Sequence, residues 1–278
     1  MINRKIPTTG EEIPVIGLGT WQTFDVGTSD RERRPLTEVL DTFGKGGGKV
    51  IDSSPMYGRA EGVVGDLKSH VPGAFIATKV WTRGRDQGIE QMTRSMQLFG
   101  VERIDLMQVH NLVDWRTHLD TMRDWKRRGR IRYLGVTHYQ SGAFPQLASI
   151  MSEEEIDFVQ LPYSITLPDA EARLLPLAQE RGIAVLVNRP FDAGSLFRNA
   201  RTRTLPPWAA EFGSSWAEVF LRWIVSHPAI TCVIPATHNP AHMAEDLKAG
   251  DGPLMTQRQR DELRKRVVAE IPSPLAGG

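Results

Sequence analysis

The sequence predicts a single α/β domain spanning residues 1–278: a (β/α)₈ TIM barrel with an N-terminal β-hairpin and an extra C-terminal helix. Three observations predict it. Eight short apolar runs are each followed by an amphipathic stretch. The runs do not alternate polar with apolar residues, which suits parallel strands covered on both faces. A length of 278 residues is ordinary for one barrel. An open doubly wound sheet is the alternative that the same alternation allows.

The elements follow in chain order. Ile2–Ile13, with Thr9-Gly10-Glu11 at its centre, reads as a hairpin able to plug the bottom of the barrel. The strand-like runs are Val15–Gly19, Lys49–Asp52, Phe75–Thr78, Ile104–Val109, Tyr133–Val136, Phe158–Leu161, Ala184–Val187 and Thr231–Ile234. Helices are expected at Leu36–Phe43, Ala60–Ser69, Gly88–Phe99, Thr117–Arg128, Phe144–Met151 and Pro240–Lys248. Asp169 can cap Ala170–Glu180, Gly182 suits its end, and Pro176 implies a kink or restart inside it. Ser215 and Glu218 form a capping-box pattern ahead of Trp216, Val219, Phe220, Trp223 and Ile224. Thr256–Ala269 is the extra helix.

Composition narrows the function classes. Hydrophobic residues make up 40% and charged residues 24%, enough for a sizeable core and against disorder. The net charge of +1 gives no global attraction to nucleic acid or to an anionic membrane. The one cysteine, Cys232, excludes an internal disulfide and a cysteine-rich metal site. Met1–Pro7 lacks the apolar stretch of a secretory signal, and no apolar run approaches the ~20 residues of a membrane span. A cytoplasmic, soluble protein is expected, monomeric or weakly homo-oligomeric.

Several motifs fail on context. Gly44-Lys45-Gly46-Gly47-Gly48-Lys49 follows a helix and opens a strand, the reverse of a phosphate loop. Gly17-Leu18-Gly19 lacks the third glycine and the following helix of a dinucleotide fingerprint. The basic runs Arg31–Arg34 and Lys126–Arg132 read as solvated faces, the second complementing a helix C-terminus. The seven histidines show no paired spacing on a helix, so no metal is expected.

Catalysis in a barrel belongs at the C-terminal ends of the strands. There the sequence puts Asp52 and Tyr57 after the second strand, Lys79 after the third and His110 after the fourth. These form a proton-transfer set. An ammonium favours ionisation of a nearby phenol, whose free pKa is ~10. A carboxylate keeps the ammonium charged and fixed, and a histidine can orient a carbonyl oxygen or share the proton. Each residue alone has a structural explanation as a cap, an ion-pair partner or a satisfied histidine. Their shared position argues for chemistry at an oxygen that becomes an alkoxide.

Asp52, Tyr57, Lys79 and His110 match, in order and strand position, the catalytic tetrad of the aldo-keto reductases. The strings Gly17–Trp21, Ile51–Gly58, Ala77–Trp81, Gly129–Val136 and Val233–Thr237 resemble that family too. The resemblance runs from Ile13 to about Leu254. It implies reduction of an aldehyde or ketone by hydride from NADPH, with Tyr57 as general acid. It also implies cofactor contacts from Thr20, Trp21, Thr137, His138, Gln160, Asn188, Arg189, Pro190, Phe191, Gly194, Leu196, Ile234, Ala236, Thr237, His242, Glu245 and Asp246. Three places depart from the family pattern: Thr137-His138 replaces Ser-Asn, Asn188 stands where an aromatic residue usually stacks, and Ala236 and His242 stand where cations usually meet the 2′-phosphate. NADPH is therefore expected to be preferred only modestly, with NADH usable. Trp21, Trp81, Asn111 and Trp115 fall on the same rim and suggest an aromatic wall for a small carbonyl substrate, with loop packing as the plainer explanation. Trp216 and Trp223 have core spacing. A cofactor-binding redox sensor with little turnover is the competing functional class, and an intact tetrad favours the enzyme.

Overall fold

The computed structural model describes residues 1–199 and 204–270. A hairpin comes first: β1 (Asn3–Lys5) pairs antiparallel with β2 (Glu12–Pro14), Arg4 opposite Ile13. The barrel units follow. They are β3 (Leu18–Gly19) with α1 (Asp30–Lys45), β4 (Val50–Asp52) with α2 (Ala60–Leu67), and β5 (Phe75–Val80) with α3 (Arg85–Phe99). Next come β6 (Ile104–His110) with α4 (Trp115–Arg127), β7 (Ile131–Thr137) with α5 (Phe144–Glu153), and β8 (Phe158–Pro162) with α6 (Leu174–Arg181). β9 (Ala184–Asn188) leads through the short α7 (Ser195–Asn199) and α8 (Pro207–Ala210) to α9 (Trp216–Val225). β10 (Cys232–Val233) with α10 (Pro240–Lys248) completes the ring, and α11 (Gln257–Glu270) is the extra helix. No helix among the described residues is long and apolar enough to cross a membrane.

The eight barrel strands pair in chain order, all parallel, from β3 to β10. The ring closes where Ile16 and Gly19 bridge to Val233 and Ala236, through Gly17 N–H to Val233 O and Gly19 N–H to Pro235 O, both 2.8 Å. A β-carbon at Gly19 would lie 2.8 Å from the Ile234 carbonyl, so this seam requires glycine. The expected strand Val15–Gly19 thus contributes fewer regular residues than its apolar run suggested, because its upstream half makes only isolated bridges.

Period-2 alternation fixes what faces the centre. Val50, Phe75, Ala77, Leu106, Tyr133, Phe158, Ala184, Leu186, Cys232 and Ile234 form one buried cluster, and Ile6 and Ile13 of the hairpin join it. The hairpin therefore plugs the barrel as expected. Two residues further along the same inward columns stand Lys79 after Ala77, Gln108 after Leu106, Gln160 after Phe158 and Asn188 after Leu186. The interior passes from apolar to polar along every one of these strands.

Three helices differ in detail from expectation. α1 begins at Asp30 because the Glu32 carboxylate accepts from the Ser29 hydroxyl and the Gly27 amide; Pro35 lies within it rather than ahead of it. Asp169 opens a 3₁₀ turn, the chain breaks at Arg173 (φ −143°, ψ −50°), and α6 restarts with Pro176 in its first turn, where its missing N–H is needed least. Ser215 caps α9 by accepting from Glu218 N–H (3.2 Å), while the Glu218 carboxylate takes the amide and hydroxyl of Ser214 rather than the amide of Ser215.

The Arg4 guanidinium fastens the hairpin to the connection between α9 and β10. It donates to the carbonyls of Val225 (2.6 Å), His227 (2.7 Å) and Ile230, the first of them a helix-end carbonyl without an intrahelical donor. Arg4→Gln is expected to lower unfolding stability by about 1–3 kcal/mol, seen as a lower urea midpoint with an unchanged slope. An unchanged midpoint would mean that water serves these carbonyls equally well.

Candidate active site

The polar end of the barrel is organised around Lys79. Its ammonium is fully buried and donates to Asp52 Oδ2 and to the Ser53 carbonyl, both at 2.6 Å. Asp52, the last residue of β4, is 2% exposed. Its other oxygen accepts from Gln160 (2.9 Å) and Gln108 (3.1 Å). Gln160 also donates to Gln108 Oε1 and accepts from Thr137 Oγ1 (3.1 Å) and Asn188 Nδ2 (3.3 Å). Side chains from β4 to β9 thereby form one connected set.

Tyr57 lies in the turn between β4 and α2. Lys79 Nζ is 5.2 Å from its ring centre, and the His110 ring is perpendicular to it with centroids 6.0 Å apart. His110 Nδ1 is 2.9 Å from Ser54 Oγ, and the Trp81 ring lies 6.3 Å from the imidazole. The four residues placed after three consecutive strands are brought to one place.

Burial raises the Tyr57 phenol above its ordinary pKa; the Lys79 charge and hydrogen bond pull it down without prevailing, and Asp52 pushes it up. The lowering expected from the lysine is thus present but outweighed. Burial alone would lower Lys79, yet the charges of Asp52 and Tyr57 carry it above its usual value, so it stays an ammonium. Burial, reinforced by the Lys79 charge, pushes His110 down to about 2, which makes it a neutral hydrogen-bonding group.

The residues expected at a cofactor surface divide. Thr137, Gln160 and Asn188 belong to the Asp52 network. Thr20 is buried and turned inward, its hydroxyl donating to the Asp52 carbonyl and to Ser53 Oγ. His138 stacks on Tyr139. Arg189 pairs with Asp192 at 3.5 Å, and Phe191 packs against Phe197. From Arg189 to Gly194 the backbone turns left-handed at Arg189, Asp192, Ala193 and Gly194, a strained curl of the kind found at ligand sites. Ala236 and His242 are exposed, whereas Thr237 is buried and accepts from Asn239 N–H. Pro190, Leu196, Ile234 and Asp246 are buried; burial pushes the Asp246 carboxyl well above the usual range, so it is not a surface partner beside Glu245. Trp21 and Trp81 are exposed at the rim. Trp115 instead packs into the core between helices at the start of α4, with Arg116 over its ring at 4.1 Å, so it is not part of an exposed wall.

Sequence reading missed Gln108, Ser54 and Glu61. Gln108 sits two residues before His110 and so shares its inward column. Ser54 had only its place in the Asp52–Tyr57 turn to mark it. Glu61 carried no signal at all. It is 2% exposed on α2, outside the barrel wall, and accepts from Thr78 Oγ1 (2.5 Å) and Ser95 Oγ (3.1 Å); burial raises its carboxyl above the ordinary range.

Known proteins show the same arrangement of chain. A 9,11-endoperoxide prostaglandin H2 reductase of Trypanosoma cruzi (strain CL Brener) is 27% identical over 96% of this chain and 94% of its own length. An NADH-specific methylglyoxal reductase of Escherichia coli (strain K12) is 25% identical over 77% of this chain and 74% of its own. The crystal structure of an aldo-keto reductase from Klebsiella pneumoniae in complex with NADPH superposes with a TM-score of 0.80, covering 100% of this chain and 98% of that one at 20% identity, a likeness of fold. The model of the aldo/keto reductase family matches residues 15–265, a span that holds all eight barrel strands and the whole Lys79 network, and the chain belongs to that family.

Proposed function

We propose that this protein reduces an aldehyde or ketone to an alcohol by hydride transfer from a nicotinamide dinucleotide, with the Tyr57 phenol donating the proton. The buried Lys79–Asp52 pair beside a protonated phenol and a neutral imidazole carries this reading. It keeps a proton in place where negative charge would develop on a carbonyl oxygen. The reductase relatives support it.

The residues at the mouth fit a dinucleotide. Asn188 Oδ1 is buried and has no hydrogen-bond partner among the described residues. It stands beside Gln160 at the ends of neighbouring strands, a position suited to accepting from a carboxamide N–H. Asn188 would hold the nicotinamide amide through that oxygen, kept in place by Gln160, whose own amide is engaged by Asp52, Gln108, Thr137 and Asn188. The curled backbone from Arg189 to Gly194 would follow the pyrophosphate, and Ala236, Thr237, His242 and Glu245 the adenosine end. When bound, the dinucleotide supplies the hydride.

The chain's own residues do the rest. Tyr57 passes its proton to the carbonyl oxygen, and the phenolate left behind is stabilised by the Lys79 ammonium. Asp52, held as an acceptor by Gln108 and Gln160, keeps Lys79 charged through the cycle. His110 receives the carbonyl oxygen by hydrogen bonding and takes no part as an acid. Trp21, Met56 and Trp81, all 40–46% exposed, offer an apolar wall to a substrate with a hydrophobic body. Turnover of a panel of aromatic and short-chain aldehydes, followed by loss of reduced-nicotinamide absorbance, tests the reading. No turnover with any member would overturn it.

Tyr57→Phe is expected to lower kcat about 10²–10⁴-fold while leaving the dissociation constant of the dinucleotide nearly unchanged. A variant keeping half of the wild-type rate, with chemistry rate-limiting, would mean that another acid serves.

The pH profile has a definite sign. With its pKa held down near 2, His110 does not gain charge as pH falls through the ordinary histidine range. With its pKa raised, Tyr57 keeps its proton until above pH ~10. Carbonyl reduction should therefore be flat between about pH 5 and 9. A limb centred near 6.5 would show that His110 titrates.

Between Ile234 and Leu247 the only side chains able to carry positive charge are His238 and His242, with neither lysine nor arginine present. NADPH should bind more tightly than NADH by less than about tenfold, and His242→Ala should narrow that ratio further. A strong preference unchanged in His242→Ala would place the phosphate on another cation, such as Arg189.

A further inference from the structure

We infer that Ser54 is a positioning residue that fixes the tautomer of His110, leaving the proton on Nε2, the nitrogen available to the substrate oxygen. The inference rests on the carbonyl-reductase reading and assigns a role to a residue that reading does not use.

Proton counting at a buried site gives the argument. Ser54 is fully buried and His110 is 6% exposed. Their polar atoms, Oγ and Nδ1, lie 2.9 Å apart, so one of them donates. Ser54 Oγ already accepts from the Met56 amide at 3.3 Å. Its single hydroxyl proton has, among the described residues, no acceptor in hydrogen-bond contact other than Nδ1. Were Nδ1 the donor, the serine hydroxyl would be left buried with its proton unpaired, the unfavourable arrangement for such groups. The serine therefore donates, Nδ1 accepts, and a neutral ring then carries its one hydrogen on Nε2. Nε2 has no protein partner among the described residues, and it is absent from the buried atoms that lack one. It remains free for a ligand.

The consequence is specific to the mechanism. A carbonyl oxygen that receives a hydride needs donors. Tyr57 is one, and an Nε2–H on His110 is the second. The opposite tautomer would present a lone pair to that oxygen and repel it. The backbone gives the serine its reach: the turn Ser53-Ser54-Pro55-Met56-Tyr57 closes with Tyr57 N–H on the Ser54 carbonyl at 3.0 Å. One short turn thus carries both the phenol and the group that orients its imidazole partner.

Long-range ¹H–¹⁵N correlation spectra of the imidazoles test this on the intact protein, with His110→Gln identifying the His110 signals. Wild type should show His110 neutral with Nδ1 unprotonated and Nε2 protonated. Ser54→Ala should shift the ring to mixed tautomers, and Ser54→Thr, which keeps the hydroxyl, should restore the wild-type pattern. In turnover, Ser54→Ala should lose about 10-fold in kcat with dinucleotide affinity unchanged, well below the ~10⁴-fold loss of an enzyme whose histidine is locked in the wrong tautomer. An Nδ1–H ring in wild type, or an unaltered tautomer in a folded Ser54→Ala, would overturn the inference. The spectra report the ring whether or not any carbonyl is turned over, so a failure of the reductase reading would be seen separately in the aldehyde panel.

Discussion

An ammonium cannot rest in the middle of a barrel without a partner. Moving such an ion out of water costs several kcal/mol even after the protein relaxes, and only a close counter-ion with its remaining valences filled offsets it. Lys79 meets that constraint, and much of the polar end of the molecule follows from it. Its carboxylate must come from an adjacent strand, so Asp52 ends β4. The carboxylate's second oxygen must also be satisfied, so amides reach it from β6 and β8. The lysine's second acceptor is the Ser53 carbonyl, in the turn that carries Tyr57.

The same constraint explains why the opposite end is apolar and closed. A charged cluster strengthens as water is excluded from its far side. Ile6, Ile13, Phe75, Tyr133 and Phe158 fill that side, so the inner columns change character over two residues. Outside the wall, Glu61 repeats the solution on a smaller scale, with two hydroxyls satisfying its buried carboxyl and joining α2 and α3 to β5.

The strand–helix alternation was legible because parallel strands covered on both faces must be apolar throughout, and that leaves a pattern in one dimension. The tetrad was legible for a related reason: in a barrel the C-terminal ends of the strands form the mouth, and Asp52 and His110 end β4 and β6 while Lys79 stands one residue before the end of β5. What stayed hidden depends on contacts between distant segments. Gln108 looks like an ordinary strand residue until Asp52 is placed beside it. Ser54 gains meaning only when His110 arrives from β6. Trp115 looked like a rim residue because it follows β6 closely, but the left-handed backbone at Asn111, Leu112 and Asp114 redirects the chain into the core. The pKa of Tyr57 was misjudged in direction because sequence shows the neighbouring charge and conceals the depth of burial.

The hairpin that plugs the barrel also ties an early segment of the chain to a late one. Arg4 binds carbonyls 221, 223 and 226 residues away, and the closing seam joins the first barrel strand to the last. On a ribosome these first residues emerge long before their partners exist. Ile6 and Ile13 share their buried cluster with Cys232 and Ile234, and contacts of such sequence separation form slowly. The barrel can close its core only after β10 has been made, so the species exposed during synthesis is an unfinished barrel rather than any single helix.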